Sequence, residues 1–366
     1  MAFGSSFLPN LADVRDEVLD AMRLRPISHR SEEFHTLFAN IQTGLRGLFG
    51  TVRPVYVATS SGTGMMEAAM RCTPRGRVLA LVNGAFGERF ARIALACDRE
   101  VTRYEVPRGQ VPEPAEVAEL LSRNEFAAVT MVHSETSTGA LADVRGIAAT
   151  CREAGVVTIV DSISGVGGAP FHFDEWGIDC AVSASQKAIG LPPGLGFAVA
   201  SAKFIRNAAE VDDRGVYLDL VSFEEYAKHN ETPTTPAVSL MFGLEAEVAA
   251  VRREGVEARW TRHEAMRVRV ESWSAQLRLD SGVEVGILAR SGARSPTVSV
   301  LQLPDAISSE LLIAGVAARG YLIGSGYGDL AATSVRLGHM ADHTVDELNC
   351  CLSAIEETLR AIVPAL

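Results

Sequence analysis

Several features that would narrow the function are scarce or missing. No apolar run reaches the roughly 20 residues of a membrane-spanning helix, and the opening MAFGSSFLPN lacks the basic stretch and apolar core of a secretory signal. Neither a membrane span nor a signal peptide is therefore expected. The six cysteines (Cys72, Cys97, Cys151, Cys180, Cys350 and Cys351) form no CxxC pair, so no disulfide framework or zinc site is readable. Such cysteine usage fits a reducing, cytoplasmic location. Basic residues do not dominate: 34 Lys and Arg face 45 Asp and Glu, a formal net charge of −11. That balance disfavours nucleic acid and anionic membrane as partners. Internal repeats, charge runs and low-complexity tracts are also missing, which excludes repeat architectures and disordered tails.

What remains is a chain of 366 residues, 47% hydrophobic and 22% charged, long enough for a large core and two domains. Its organising stretch runs from Val156 to Val199. An apolar run, Val156 to Val160, ends in the carboxylate of Asp161; a second, Cys180 to Ala184, ends in Ser185-Gln186-Lys187. Short apolar runs bounded by turn residues are how strands buried on both faces read. In parallel α/β sheets ligands bind outside the carboxyl ends of the strands, which places Asp161 and Lys187 at one candidate site. An isolated Asp or Lys is ordinarily a solvated surface charge. Lys187, however, lies between an apolar strand and the stiff Gly190-Leu191-Pro192-Pro193-Gly194-Leu195-Gly196. An acid and a lysine so placed suit pyridoxal phosphate: the lysine amine forms a Schiff base with the aldehyde and the acid pairs with the pyridinium nitrogen.

VDSISGVGG followed by SASQKAIGLPPGLGF closely resembles the class V aminotransferases, a family of fold-type I pyridoxal phosphate enzymes. Alanine–glyoxylate and serine–pyruvate aminotransferases are the similar members, with 2-aminoethylphosphonate transaminase further off. The resemblance runs from about Asp13 to the C-terminus. It implies a large domain with a mostly parallel, seven-stranded type of sheet sandwiched by helices, plus a smaller C-terminal α+β domain. It also implies Lys187 and Asp161 as catalytic residues.

Further residues acquire roles through this resemblance. Tyr56 to Ser60 reads as a strand, and Ser60-Ser61-Gly62-Thr63-Gly64 leads into a helix expected from Met65 to Arg71. A glycine-rich turn entering a helix presents free N–H groups and the positive dipole end, which suits a phosphate held by Ser61, Gly62 and Thr63. Phe86, after the strand Val78 to Val82, matches the family's ring-stacking aromatic. Thr136, in Glu135-Thr136-Ser137-Thr138-Gly139, corresponds to a hydroxyl that bonds the ring oxygen or phosphate. Ser164 and Gln186 complete the expected cofactor set. His133 reads as a structural end-of-strand histidine. In Asn230-Glu231-Thr232-Pro233-Thr234-Thr235-Pro236, either Thr234 or Thr235 corresponds to the residue that reaches the phosphate of a neighbouring subunit, which implies a homodimer with a shared site. Arg336, in Ser334-Val335-Arg336-Leu337-Gly338, matches the arginine that forks the substrate carboxylate. Ser28-His29-Arg30-Ser31-Glu32-Glu33-Phe34 resembles a phosphoserine aminotransferase pattern whose His-Arg pair, here His29 and Arg30, meets the substrate's anionic end.

The remaining pattern predicts helices over Leu11–Met22, Glu32–Phe49 and Ile147–Ala154. A long helical stretch over Ser239–Leu277 and a flexible loop over Gly324–Gly328 are also expected. The domains expected are an N-terminal arm and helix (1–22), a large cofactor domain (23–260) and a small domain (261–366). Relatives open with a Pro-Gly-Pro-like segment where this chain has Ser5-Ser6-Phe7-Leu8-Pro9-Asn10. The implied function is a pyridoxal-phosphate-dependent aminotransferase moving the amino group of a small amino acid or aminophosphonate to pyruvate or glyoxylate. Two alternatives stand beside it. One is a lyase or β- or γ-replacement enzyme using the same cofactor. The other is a non-enzymatic cofactor-binding regulator, against which the full set Asp161, Lys187, Phe86 and Arg336 argues. No metal site is expected.

Overall fold

The apolar runs become strands covered on both faces. In the computed structural model, which describes residues 5–362, β1 (Ser5–Phe7), α1 (Asp16–Ala21) and α2 (Glu32–Phe49) come first. They lead into β2 (Val55–Thr59), α3 (Gly62–Arg71), β3 (Val78–Val82), α4 (Ala85–Ala96), β4 (Val101–Glu105), α5 (Pro114–Arg123) and β5 (Ala128–Val132). A short pair, β6 (Ser134–Glu135) and β7 (Ala140–Leu141), precedes α6 (Val144–Ala154), β8 (Val157–Asp161), α7 (Phe173–Trp176), β9 (Cys180–Ala184) and β10 (Leu195–Ala200). Four helices follow: α8 (Ala202–Ala209), α9 (Leu220–Ala227), α10 (Val238–Glu254) and α11 (Val256–Ser281). The chain continues as β11 (Gly286–Ile287), β12 (Val298–Gln302), α12 (Ser309–Ala318), β13 (Tyr321–Ser325), β14 (Ser334–Gly338) and α13 (Val345–Ile362).

The large sheet has seven strands in the order β2-β10-β9-β8-β5-β3-β4, and only β10 runs against its neighbours. Alternation along β10 explains why both faces are covered. Leu195, Phe197 and Val199 belong to the core that contains Phe34, Phe38 and Ile41 of α2, while Ala198 and Ala200 belong to a second core, with Met65 and Met66 of α3 and Phe90 of α4. Burying each such large side chain contributes about 2 kcal/mol, which fixes the register against a slip that would exchange the two faces. After β4 the chain returns to the other flank of β3, so a switch point lies beside the carboxyl ends of β3 and β5. The second sheet, β1-β13-β14-β12-β11, has its own core, including Phe7, Trp273, Leu301, Leu337 and Leu352. β1 therefore draws the first described residues to the sheet made by the last third of the chain.

Several expected boundaries shift. The helical stretch over Ser239–Leu277 is two helices, broken at Gly255 with φ +88°. The expected domain boundary near residue 260 lies within α11. The helix over Leu11–Met22 shortens to α1, because the Ala12 N–H goes to Gln186 O at 3.0 Å instead of into a helix. Gly324 and Ser325 are not loop: they end β13, paired with Arg336 and Val335. No helix among the described residues is long and apolar enough to cross a membrane.

Candidate active site

Asp161 and Lys187 follow from adjacent, parallel strands. Asp161 is the last residue of β8 and pairs in register with Val182 of β9; Lys187 lies three residues past the end of β9. The turn that carries Lys187 is held tightly. Ser185 N–H donates to Leu195 O (3.0 Å), Ser185 Oγ to Pro192 O (2.7 Å) and Gly190 N–H to Lys187 O (2.9 Å). Behind it, the fully buried Arg259 donates to Ala188 O (3.0 Å) and Gly167 O (3.1 Å). The lysine is thus oriented by its backbone, and its Nζ donates to the carbonyl of Pro9.

Burial moves both groups toward neutrality. It raises the Asp161 carboxyl to about 7, with Glu135 adding to the rise; the Ile163 N–H (2.9 Å to Oδ1) and the cations Lys187 and Arg89 oppose it. Burial lowers the Lys187 ammonium to about 8, assisted by the charge of Arg336 and opposed by Asp161. Desolvation is the dominant cause in each case, and each group is the other's opposing charge.

The glycine-rich turn lies against this pair. α3 begins at Gly62 rather than at the expected Met65, capped by Ser61, whose Oγ accepts the Gly64 N–H at 3.2 Å. A Cβ on Gly62 would lie 2.3 Å from Ile163 Cδ1 and 3.2 Å from Ala184 Cβ, so only glycine fits there. The first turn of α3 is accordingly seated against the end of β9 and the residue two beyond Asp161. Phe86 is in the first turn of α4, which lacks a side-chain cap of its own. The fully buried Glu135 replaces that cap, accepting the N–H groups of Phe86 (3.0 Å) and Gly87 (3.1 Å) as well as Ser137 Oγ (2.6 Å). Thr136 Oγ1 and Ser164 Oγ, both buried, lie 2.6 Å apart. Arg336 on β14 donates to Ser325 O (2.8 Å) and Thr136 O (3.4 Å), which joins the second sheet to this group. Tyr327 packs 5.8 Å from Phe86, ring centroid to centroid.

Other expected residues lie apart. His133 is buried against Phe171 and Trp176, bonds Ser162 Oγ at 2.9 Å, and is held neutral by burial, which lowers its pKa to about 4. Arg30 is not joined to the Lys187 group in this protomer. It donates to Glu231 Oε2 (2.8 Å) and to the carbonyls of Thr232 (2.9 Å) and Pro233 (3.4 Å), and lies over Tyr226. An arginine facing three acceptors of one loop is spent on that loop. His29 makes an edge contact with Phe34. Thr234 and Thr235 are exposed on the loop that Arg30 holds. The Gln186 carbonyl receives Ala12 N–H, as above; its side chain is half-buried.

Four residues with parts in this site had no assigned role in the sequence reading: Glu135, Arg89, Tyr327 and Pro9. Glu135 carried a signal, since a helix starting after Gly84 has no capping side chain and calls for an acid from elsewhere. Among the described residues no cluster of three or more His, Cys, Asp or Glu could hold a metal.

Comparison with known proteins agrees with this fold. The profile of the family "Aminotransferase class-V" matches residues 16–302. The chain is 33% identical to an uncharacterized aminotransferase of Methanocaldococcus jannaschii, over 97% of this chain and 92% of that one. It is 32% identical to a serine–glyoxylate aminotransferase of Methylorubrum extorquens, over 92% and 86%. The crystal structure of an alanine–glyoxylate aminotransferase from Nostoc sp. superposes with a TM-score of 0.91 at 27% identity, covering 98% of this chain and 96% of that one.

Proposed function

Because this chain belongs to the class V aminotransferase family and is a pyridoxal-phosphate-dependent aminotransferase, we propose that it moves the amino group of a small amino acid or an aminophosphonate to pyruvate or glyoxylate. The observation that carries this reading is the pairing of Asp161 and Lys187, buried and in electrostatic contact at the ends of adjacent strands. The glyoxylate-using relatives named above support the acceptor.

The residues fit the cofactor. The turn at Gly62 has no room for a side chain, and the Asp161 carboxylate makes one hydrogen bond, to a backbone N–H. Ser61, Gly62 and Thr63 would hold the phosphate with the first N–H groups of α3. Asp161 would keep the ring nitrogen protonated, Phe86 would cover the ring, and Thr136 with Ser164 would meet its oxygen. When bound, the cofactor supplies an aldehyde for the donor's amine and a ring that withdraws electrons from the donor's Cα. Lys187, poised near neutrality by burial, takes and returns the proton at that carbon. Arg336 forks the substrate carboxylate with two parallel donors. Glu135 fixes Phe86 through the start of α4. Within its own protomer Arg30 holds the Thr232–Pro236 loop, and His29 lies edge-on to Phe34. That loop presents Thr234 or Thr235 to a partner subunit in a homodimer; the exposure of both threonines on an anchored loop supports this. Six free thiols support a cytoplasmic location.

The test is to supply the cofactor-loaded protein with an amino donor and no oxo acid. One oxo-acid product per site, followed by arrest until pyruvate or glyoxylate is added, is the expected result. Continued turnover without an acceptor would replace this reading with elimination or replacement chemistry.

A further inference from the structure

Arg89 is a cation of the site with no role in the account above. Its guanidinium carbon lies 4.7 Å from the Phe86 ring centroid. Nη1 donates to Thr63 Oγ1 at 3.3 Å and Nη2 to Tyr327 Oη at 3.4 Å. Both bonds are long and go to neutral groups. No carboxylate pairs with Arg89 among the described residues, a condition shared by the buried Arg99, whose acceptors are backbone carbonyls. Arg15, Arg53, Arg262 and Arg294 are also partly buried, and each has a carboxylate within 3.1 Å. Arg336 shares the condition of Arg89, having only carbonyl acceptors.

The two arginines bracket one tyrosine. Arg336 lies 5.5 Å over the ring of Tyr327, and Arg89 meets its hydroxyl end. Arg89 also acts on the charges of Asp161 and Lys187, so it faces the same interior. Arg89 is partly buried, and an anion brought by a ligand offers its guanidinium the counter-charge it lacks. With the α-carboxylate assigned to Arg336, Arg89 is left for a second anion.

We propose that Arg89 is a second anion-binding residue and that the preferred donor or acceptor is a dicarboxylate, an amino acid with a side-chain carboxylate or its 2-oxo counterpart. The inference rests on the reading that Arg336 takes the α-carboxylate. The competing assignment for Arg89 is the cofactor phosphate, since Thr63 belongs to the expected cradle. The bond to Tyr327 favours the substrate, because it places the guanidinium on the side of the site where Arg336 lies.

Unreactive anions of one chain length decide the matter. The absorbance of the cofactor-loaded protein is titrated with succinate and with butyrate. Succinate should bind wild type about tenfold or more tightly than butyrate, the scale of one added charge-assisted hydrogen bond. Arg89→Gln should bring the ratio near one while leaving the butyrate dissociation constant unchanged, and Arg89→Lys should keep part of the preference. A ratio near one in wild type, or a ratio kept in Arg89→Gln, overturns the inference. So does an Arg89→Gln protein that keeps the ratio but releases pyridoxal phosphate on dialysis, which assigns Arg89 to the phosphate. A wild-type chain that takes up no pyridoxal phosphate overturns both readings, whereas one that takes it up and fails the succinate comparison overturns this one alone.

Discussion

Replacing Asp161 with asparagine should slow the enzyme and, at the same time, stabilise the cofactor-free protein, increasingly so as pH rises. Asp161 is 2% exposed, and burial carries its carboxyl from 3.8 up to about 7. A carboxyl whose folded pKa exceeds its unfolded value contributes stability in acid and loses it as pH climbs from about 4 through about 7. A gap of about 3 pKa units amounts to about 4 kcal/mol at pH 8, of which about 1.5–2 kcal/mol is already felt at pH 5. Asparagine has the same shape and does not ionise, so the variant should gain about 2–3 kcal/mol on wild type between pH 5 and pH 8. Lys187 trims this gain, because it loses the carboxylate that opposes its desolvation. The assay is thermal unfolding of both cofactor-free proteins at several pH values and one ionic strength. Taking the difference at each pH removes the contribution of the titrating groups that do not interact with Asp161. A difference that stays flat or shrinks as pH rises would refute the claim that Asp161 is a desolvated, ionising group. In the loaded enzyme the same substitution should lower kcat by roughly two orders of magnitude, the scale of losing one preorganised electrostatic group.

Lys187→Ala should abolish turnover and the visible absorbance of lysine-linked cofactor, read from a spectrum and a steady-state assay; a variant that keeps both removes Lys187 from the chemistry. Arg336→Lys keeps the charge but loses the fork, so kcat/KM for amino-acid substrates should fall by the equivalent of roughly 2–4 kcal/mol. An unchanged kcat/KM would leave Arg336 a structural link between Thr136 and Ser325.

Much of the fold and the heart of the site were legible because their signals are local. An apolar run of five ending in Asp161, and another ending just before Ser185-Gln186-Lys187, state both the strand and its functional end within a few residues. Element boundaries were less legible, for reasons the structure supplies. Gly62 reads as loop, yet it opens α3, capped by Ser61 and with Ile163 standing against it. Gly255 interrupts what reads as one helix, and periodicity could not reveal it, since a glycine inside a helix costs only about 1 kcal/mol and is often tolerated. The partners of Arg30 were illegible for a different reason. Its acceptors lie 201 to 203 positions away, and no local pattern distinguishes an arginine that faces a substrate from one that ties down a loop.

The N-terminal segment is the strongest case of this limit, and it carries a consequence for the site. Ser5 to Asn10 departs in sequence from the Pro-Gly-Pro-like opening of relatives. The segment contributes backbone contacts together with the buried ring of Phe7, stacked on His343. β1 pairs in parallel with β13, the Pro9 carbonyl receives Lys187 Nζ across 178 positions, and the Ala12 N–H receives no helical partner because it bonds Gln186 O. The groups facing it leave no space. A Cβ on Gly324 would lie 2.7 Å from Pro9 Cδ, and one on Gly338 would lie 2.6 Å from Leu8 O. The close approach is therefore set by the glycines of β13 and β14 together with the Pro9 ring and the Leu8 carbonyl, and it brings the Pro9 carbonyl to Lys187 Nζ.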